Sequence, residues 1–347
     1  MDALRHERNA AIAAILKSNP GLSKRRTAMI LYAEYPGLFA SVEAARSSIR
    51  SRTGCSGERS QQLSAESKKV GKAYKAPKKQ QYAMPKSKAK PWETFTVGAG
   101  TIAVLSDIHF PKHDEKALQA AVDHIKSEGK VDTVLLNGDI ADAEEFGSWA
   151  KSPKAIDTEN SVDIVRQGLL WIMDQFPDSK IVYKFGNHEE RLDRYCWGKA
   201  PELVGLPHIS WEGLLSIDSQ LNKIPEMERI VWVKDQRPVS VGKLTVFHGH
   251  ELPKGLTNAV NPARGAFLRT LDSVMVGHHH RPSSHPEYNW RHEPINCWSI
   301  GCLCDLTPEY ARINKWAHGH AIVETTKSGA FSVYNYKQLK NGEVVTA

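Results

Sequence analysis

The sequence of 347 residues predicts an α/β body with mixed sheets in layers flanked by helices, preceded by a small all-α module. Two observations predict this fold class. From Trp92 onward, short β-forming runs alternate with helical stretches and later follow one another directly, which is typical of mixed sheets. Residues 1–53 instead carry three short apolar patterns with helical spacing. We therefore divide the chain into a helical module at 1–53, a linker at 54–91 and an α/β domain at 92–347.

The three predicted helices of the module are separated by turn signals and begin at capping residues. The first carries the apolar residues of 10–16 and ends at the Asn-Pro-Gly turn of 19–21. Ser23 can cap the second helix, which ends before the Tyr-Pro-Gly sequence of 35–37. Ser41 can cap the third.

Three arginines, Arg46, Arg50 and Arg52, make the third predicted helix basic. Three helices of which the last is basic resemble a helix-turn-helix module, whose last helix enters the major groove of DNA. We take these arginines as candidates for nucleic-acid binding. The alternative is a small helical bundle for protein contacts, in which the arginines are solvated.

Charge is distributed unevenly along the chain. Residues 1–91 hold 19 of the 46 Lys and Arg residues but only 6 of the 39 Asp and Glu residues, so the rest of the chain is mildly acidic. The segment 54–91 has ten basic and two acidic residues and few large apolar ones, which predicts a flexible linker. A basic front favours a polyanionic partner, and we expect nucleic acid, in the first place DNA.

The predicted strands and helices of the α/β domain follow from apolar runs and helical spacing. The strands are expected at 101–106, 131–136, 180–185, 230–234, 243–248, 273–277, 295–300, 320–325 and 330–336, and the helices at 115–127 and 161–176.

Asp, Asn and His residues directly follow five of these strands. Because strand carboxyl ends in open α/β sheets converge on one crevice, we expect these side chains to gather there. They are Asp107 and His109 after the first strand, Asp139 after the second, Asn187 and His188 after the third, His248 after a later one, and His278 and His280 after another.

Carboxylate, amide and imidazole ligands suit Mn²⁺, iron and Zn²⁺. Four His, two Asp and one Asn are too many for one tetrahedral zinc, and they suit two cations about 3.5–4 Å apart. Residues two apart in an extended segment point the same way, which explains the Asp-x-His and His-x-His spacings. The sequence therefore predicts a two-metal site.

These segments follow the order D-x-H, G-D, G-N-H-[DE], H-G-H and G-H-x-H, and over about residues 100–302 the sequence resembles the calcineurin-like metallophosphoesterase superfamily. The resemblance implies a four-layered β-sandwich with a dimetal centre bridged by Asp139. Manganese is the first expectation for the metal, with iron, zinc or magnesium as alternatives. The implied ligands are Asp107, His109, Asp139 and His280 for one ion, and Asp139, Asn187, His248 and His278 for the other.

The same resemblance implies two catalytic residues. His188 matches the histidine that is not a ligand and faces the leaving group. Asp142 matches the aspartate that orients this histidine in the phosphoprotein phosphatase branch. That branch has an arginine directly after the aspartate, where this chain has Ala143. We therefore take Arg191 and Arg194 as candidates for substrate binding.

The sequence also carries expectations about location. It has no apolar run of the roughly 18–20 residues that span a bilayer, and its N-terminal apolar stretch has no cleavage site. Five irregularly spaced cysteines do not suggest a disulfide framework. We expect a cytoplasmic protein that does not enter membranes; the oligomeric state is left open.

Three functional hypotheses follow. The first is a metal-dependent phosphodiesterase or nuclease that acts on DNA, with the basic front holding it on the substrate. The second is a phosphomonoesterase for nucleotides or phosphoproteins. The third is a DNA-binding protein without catalysis, whose metal fold is a scaffold; the complete set of expected ligands argues against it.

Overall fold

The computed structural model describes residues 2–54, 57, 60–62, 64–66, 83–148, 157–253 and 260–347. The chain forms two compact units, Met1–Ala89 and Lys90–Ala347, which we call the first and the second unit. Much of the predicted linker, 67–82 in particular, lies outside the described residues. Among the described helices, none has the length and apolar character needed to cross a membrane.

The first unit contains three helices, as predicted: α1 (Asp2–Ser18), α2 (Lys24–Glu34) and α3 (Val42–Thr53). The Ser23 and Ser41 side chains accept hydrogen bonds from backbone N–H groups in the first turns of α2 and α3. Ile12, Leu31 and Ile49, one from each helix, are fully or almost fully buried in a common core. Burial of these apolar faces against one another, rather than helix propensity alone, holds three such short helices together.

The second unit alternates helices and strands and then continues mainly with strands. Its helices are α4 (Glu115–Glu128), α5 (Thr158–Gln175), α6 (Glu190–Lys199), α7 (Trp211–Leu215) and α8 (Pro262–Thr270), with 3₁₀ turns at Glu144–Phe146, Pro201–Leu203, Pro225–Arg229 and Glu309–Ala311. Its strands are β1 (Phe95–Val97), β2 (Gly100–Leu105), β3 (Thr133–Asn137), β4 (Lys180–Lys184), β5 (Ile230–Val233), β6 (Val239–Val241), β7 (Leu244–Phe247), β8 (Val274–Val276), β9 (Ser283–Tyr288), β10 (Pro294–Ser299), β11 (Gly319–Thr325), β12 (Phe331–Gln338) and β13 (Val344–Thr346).

The strands form two mixed sheets. In the described part of the chain, one sheet has seven strands in the order β13-β12-β11-β2-β3-β4-β5, and the other has six in the order β1-β6-β7-β8-β10-β9. Strands β2, β3, β4 and β5 are parallel neighbours in the first sheet. In the second sheet, β7, β8 and β10 are parallel neighbours.

The sheets pack face to face between two layers of helices. Val104 of the seven-stranded sheet and Met275 of the six-stranded sheet lie in one buried cluster between them. Leu105 points the opposite way and packs in the cluster that contains Leu169 of α5, because side chains alternate along a strand. On the far side of the other sheet, Ala266 of α8 packs against β8 and β10. The predicted layered α/β fold is therefore confirmed, with the order helices, sheet, sheet, helix.

Candidate metal centre

The proposed ligands follow the carboxyl ends of five strands, and their loops are bonded to one another. The Asp107 N–H donates to the Gly138 carbonyl at 3.0 Å, and the His109 N–H donates to the Asp139 carbonyl at 3.0 Å. Across the two sheets, the His278 N–H lies 3.0 Å from a carboxylate oxygen of Asp107. The loops after β2, β3 and β8 thus meet at one point.

Left-handed backbone is concentrated in these loops. Five of the seven proposed ligands have φ between 52° and 64°, a region that side chains other than glycine rarely adopt; they are Asp107, His109, Asp139, His278 and His280. Such conformations persist only where the surrounding structure enforces them, and they cluster at functional sites. The strain indicates that these loops are shaped to aim the side chains.

One cluster consists of Asp107, His109 and His280, all of them buried. The Nε2 atom of His280 lies 3.1 Å from Asp107 Oδ1 and 3.3 Å from Nε2 of His109. His109 and His280 also form a compact group with the Cys304 thiol. His109 forms another with Asp139 and His188, and all ligand atoms in each group lie within 4.8 Å of one another. A carboxylate oxygen and a second imidazole nitrogen are thus linked through His280. This is a donor set that binds first-row divalent metals.

A second cluster consists of Asp139, His248 and His278, whose ligand atoms all lie within 4.8 Å of one another. Asp139 Oδ2 is 3.2 Å from His248 Nε2 and 4.0 Å from His109 Nε2, so this carboxylate lies between the two clusters. Asn187 lines the same cavity as His278, and its Oδ1 atom is buried without a hydrogen-bond partner in the described part of the chain. A buried acceptor of this kind is what a cation would satisfy. The residues present fit two cations that share Asp139.

Hydrogen bonds at Nδ1 leave the Nε2 atoms of two histidines free to act as ligands. His248 Nδ1 lies 2.8 Å from the Asn137 carbonyl, and His109 Nδ1 lies 3.1 Å from Asp142 Oδ1. A donor bond at one ring nitrogen fixes the tautomer and presents the lone pair of the other. His280 has a different partner at this nitrogen, because its Nδ1 lies 3.9 Å from the buried Cys304 Sγ.

The electrostatics of the centre favour anionic carboxylates. Burial raises the pKa of Asp139, but the nearby His188 and His248 more than offset this and hold that pKa well below its ordinary value. Burial lowers the pKa of His248, but the Asp139 carboxylate more than offsets this and raises it to about 10. Burial and the nearby His248 lower the pKa of His278 to about 3. The carboxylates thus stabilise a positive charge next to them. A metal cation can supply that charge in place of a proton.

The two predicted catalytic residues, His188 and Asp142, are in contact, and the closest contact is to the backbone. His188 Nδ1 lies 2.7 Å from the Asp142 carbonyl oxygen and 3.3 Å from its carboxylate. The Asp142 carboxylate also accepts from Lys112 Nζ at 2.9 Å and faces His109. Burial lowers the pKa of His188, but the Asp139 and Asp142 carboxylates more than offset this and raise it. The aspartate therefore positions two histidines at once.

Arg191 lies beside this pair, whereas Arg194 lies at the other end of the centre. Arg191 donates to the Asp142 carbonyl at 2.8 Å and to His188 Nε2 at 2.8 Å. Arg194 forms an ion pair with Glu190 and lines a cavity of about 250 Å³ together with Asn187 and other residues. The two candidate substrate-binding arginines thus flank the centre on different sides.

Two buried carboxylates bind backbone N–H groups of the ligand-bearing loops and hold these loops in place, and we call them loop clamps. Neither was predicted from the sequence. Glu189 forms the first. Its fully buried carboxylate accepts from the N–H groups of residues 139–141 at 2.8–3.0 Å, from the Gly186 N–H at 2.7 Å and from the Tyr183 hydroxyl at 2.8 Å. It therefore fixes the backbone that carries Asp139. Glu189 is the last residue of the Gly-Asn-His-Glu block, so its position was visible in the sequence although its role was not.

The second clamp is a buried ion pair between Lys184 and Glu251. Their charged atoms are 2.6 Å apart, and the Lys184 side chain is fully buried. The Glu251 carboxylate accepts from the His248 and Gly249 N–H groups at 3.2 and 2.6 Å. Burial raises the pKa of Glu251, but Lys184 more than offsets this and lowers it to about 2. A lysine at the end of an apolar strand was the signal available in the sequence.

The three candidate nucleic-acid-binding arginines of the first unit do not share one face. Arg46 and Arg50 lie 3.4 and 4.0 Å from the Glu43 carboxylate. Arg52 instead donates to the Asn9 carbonyl of α1. Their role in binding stays a prediction.

The arrangement found here is that of metal-dependent phosphoesterases. Two mixed sheets form a sandwich, and carboxylates, an amide and imidazoles lie where the strand ends meet. The model of the calcineurin-like phosphoesterase family matches residues 100–323, and the chain belongs to this family. The expected family and fold are thereby confirmed.

No curated protein matches. Among solved structures, two that are distantly similar to this chain are the following. A single mutant of Vps29 from Entamoeba histolytica is 12% identical with a TM-score of 0.35, and the match covers 71% of this chain and 99% of that one. The NAD nucleotidase NadN of Haemophilus influenzae is 11% identical with a TM-score of 0.28, and the match covers 72% of this chain and 53% of that one.

Replacement of Lys184 by Met leaves the Glu251 carboxylate buried and unpaired. We expect a loss of about 3–5 kcal/mol in the free energy of unfolding at pH 7. Because the folded-state pKa of Glu251 is depressed, the stabilisation by the pair is present above about pH 4.5 and is lost as the pH falls toward 2. Urea unfolding followed by tryptophan fluorescence measures this, since all nine tryptophans lie in the second unit.

The matched control is Lys130→Met, which removes an exposed lysine 3.9 Å from Asp132. It should cost less than about 1 kcal/mol at any pH. Equal losses for the two variants, or a Lys184→Met loss that is the same at pH 7 and pH 3.5, would show that the pair does not hold this loop.

Proposed function

We propose that this chain is a two-metal phosphodiesterase that cleaves nucleic acid, DNA in the first place. The observation that supports this most strongly is that basic groups, the candidates for substrate binding, lie on both sides of the candidate centre. A phosphomonoester has one organic group on its phosphorus, whereas a diester in a strand has two. A site with binding surface on either side of the metals is suited to the diester.

On one side, basic and aromatic groups surround His188. Arg191 and Lys112 contact Asp142, and the side chain of Tyr310 is exposed. The Tyr310 ring meets that of Trp316 edge to face at 6.2 Å. Trp316 in turn packs on the ring of His280, with centroids 4.1 Å apart. Such a surface can hold both a phosphate and a base.

On the other side, the cavity of about 250 Å³ extends from Asn187 and His278. It is lined further by Arg194, Arg269 and His279, together with apolar residues. Arg194 and Arg269 place two guanidinium groups next to the candidate metal ligands, which suits a second phosphate of the same strand. Arg194 would exchange its partner Glu190 for that phosphate.

The metals are assigned to the residues that the geometry brings together. Asp107, His109, Asp139 and His280 would hold one ion, and Asp139, Asn187, His248 and His278 the other, with manganese proposed and iron, zinc or magnesium as alternatives. Divalent cations at such a site supply hydroxide at neutral pH and neutralise phosphate oxygens.

The chain's own residues then handle the leaving group. As the oxygen of the attacking water bonds to phosphorus, the bond between phosphorus and the leaving oxygen breaks. Protonated His188 gives its Nε2 proton to the leaving oxygen, while Asp142 holds Nδ1. In this structure, His188 Nε2 accepts a hydrogen bond from Arg191 instead. A protonated His188 has no acceptor lone pair at Nε2, so this hydrogen bond has to break when His188 is protonated. Arg191 would exchange His188 for a phosphate oxygen when substrate binds.

Substitution of His188 separates catalysis from metal binding. His188→Ala should keep the metal content and lower turnover about 10²–10⁴-fold, the range for a lost acid–base group. Asp139→Asn should lose metal and nearly all activity, because Asp139 lies between both clusters. Elemental analysis and the turnover of bis(p-nitrophenyl) phosphate measure both effects, with the exposed His292→Ala as control. Metal loss in His188→Ala would instead make His188 a ligand.

Substrate preference tests the proposed reaction. With added Mn²⁺, we expect kcat/KM for bis(p-nitrophenyl) phosphate to exceed that for p-nitrophenyl phosphate, because only the diester uses both sides of the centre. Arg194→Ala should lower DNA cleavage more than hydrolysis of the small diester. Preference for the monoester would favour the phosphomonoesterase hypothesis. An absence of hydrolysis combined with DNA binding would favour the scaffold.

A further inference from the structure

A polar cleft between α1 and α3 of the first unit has no role in the hydrolytic reaction. Its volume is about 290 Å³. The residues that line it are Arg5, Arg8 and Asn9 of α1, Ser48, Ser51 and Arg52 of α3, and Gln61. The members from each helix are spaced three or four residues apart, so each set lies on one helix face.

Three guanidinium groups make this cleft strongly basic. Arg8 donates through Nε to the Leu38 carbonyl, and Arg52 donates through one terminal nitrogen to the Asn9 carbonyl. A guanidinium group has five N–H donors. Each of these two bonds uses one donor and fixes the orientation of the group, so further N–H donors remain. Arg5 is exposed at the rim. Among the described residues that line the cleft, none is acidic.

The other basic face of α3 is less suited to an anion. Arg46 and Arg50 both lie next to the Glu43 carboxylate, at 3.4 and 4.0 Å. That carboxylate cancels part of their charge and repels a phosphate. The cleft therefore offers the more favourable surface of the two.

We propose that this cleft binds a phosphate group of the nucleic-acid backbone. Arginine forks bind phosphate oxygens in a bidentate manner, and the hydroxyls of Ser48 and Ser51 add neutral donors. Contacts of this kind position a protein on nucleic acid without reading its sequence. The inference rests on the nucleic-acid part of the proposed function and identifies the surface that serves it.

The test uses the full-length protein and a fluorescein-labelled DNA duplex, with binding followed by anisotropy over a range of salt concentrations. Arg5→Ala and Arg5→Glu should weaken binding, the glutamate more strongly and by about tenfold near 0.1 M salt. Both should lower the slope of log K against log salt by about 1, the expectation for one lost phosphate contact. Arg5→Lys, which retains the charge, should restore most of the slope. The matched control, Arg46→Ala with Arg50→Ala on the other face of α3, should have the smaller effect.

Three results would overturn the proposal: full-length protein that does not bind the duplex, Arg5 variants that bind as the unchanged protein does, or a larger loss in the Arg46 and Arg50 control. Hydrolysis of bis(p-nitrophenyl) phosphate is measured on the same samples and should be equal in all of them. If that hydrolysis is absent while the Arg5 effects appear, the proposed reaction is wrong and the phosphate cleft stands.

Discussion

The carboxylates of Asp107 and Asp139 lie at the centre of the second unit with almost no access to water. A buried charge is costly unless it is paired and hydrogen-bonded, so everything around these two groups has to compensate for them. Backbone N–H groups and imidazoles do so in part. The remaining acceptors, including the Asn187 Oδ1 atom that has no hydrogen-bond partner among the described residues, are groups that divalent cations would satisfy. The sandwich therefore brings anionic groups together at a position where water does not solvate them.

Residues around the centre divide by burial into two kinds. Glu189 and the Lys184–Glu251 pair are buried behind the ligand loops and hold backbone in place. Arg194 and Tyr310 are exposed at the rim and face the solution. The buried kind holds the loops that carry the candidate ligands. We propose that the exposed kind contributes to the choice of ester, because membership of the family leaves the substrate open.

The sequence predicted the strands that carry the centre because they are short apolar runs followed directly by glycine or polar residues. It did not predict β9, an edge strand with alternating exposed residues and a proline, since such a strand buries little apolar surface. The clamp of Glu189 was also missed, because three of its five hydrogen-bond donors are backbone N–H groups 48–50 residues away, which no side-chain pattern reveals. The position of Arg52 on another face of α3 was visible in the sequence, because two residues at about 100° each separate it from Arg50 by about 200°.

The central claim is that the ligand loops hold two cations that share Asp139. Anomalous diffraction at the manganese absorption edge from crystals soaked in Mn²⁺ tests it most directly. We expect two peaks, one against Asp107 and His280 and the other against Asn187 and His278, with Asp139 between them. A single peak, peaks elsewhere on the surface, or none at all would contradict it.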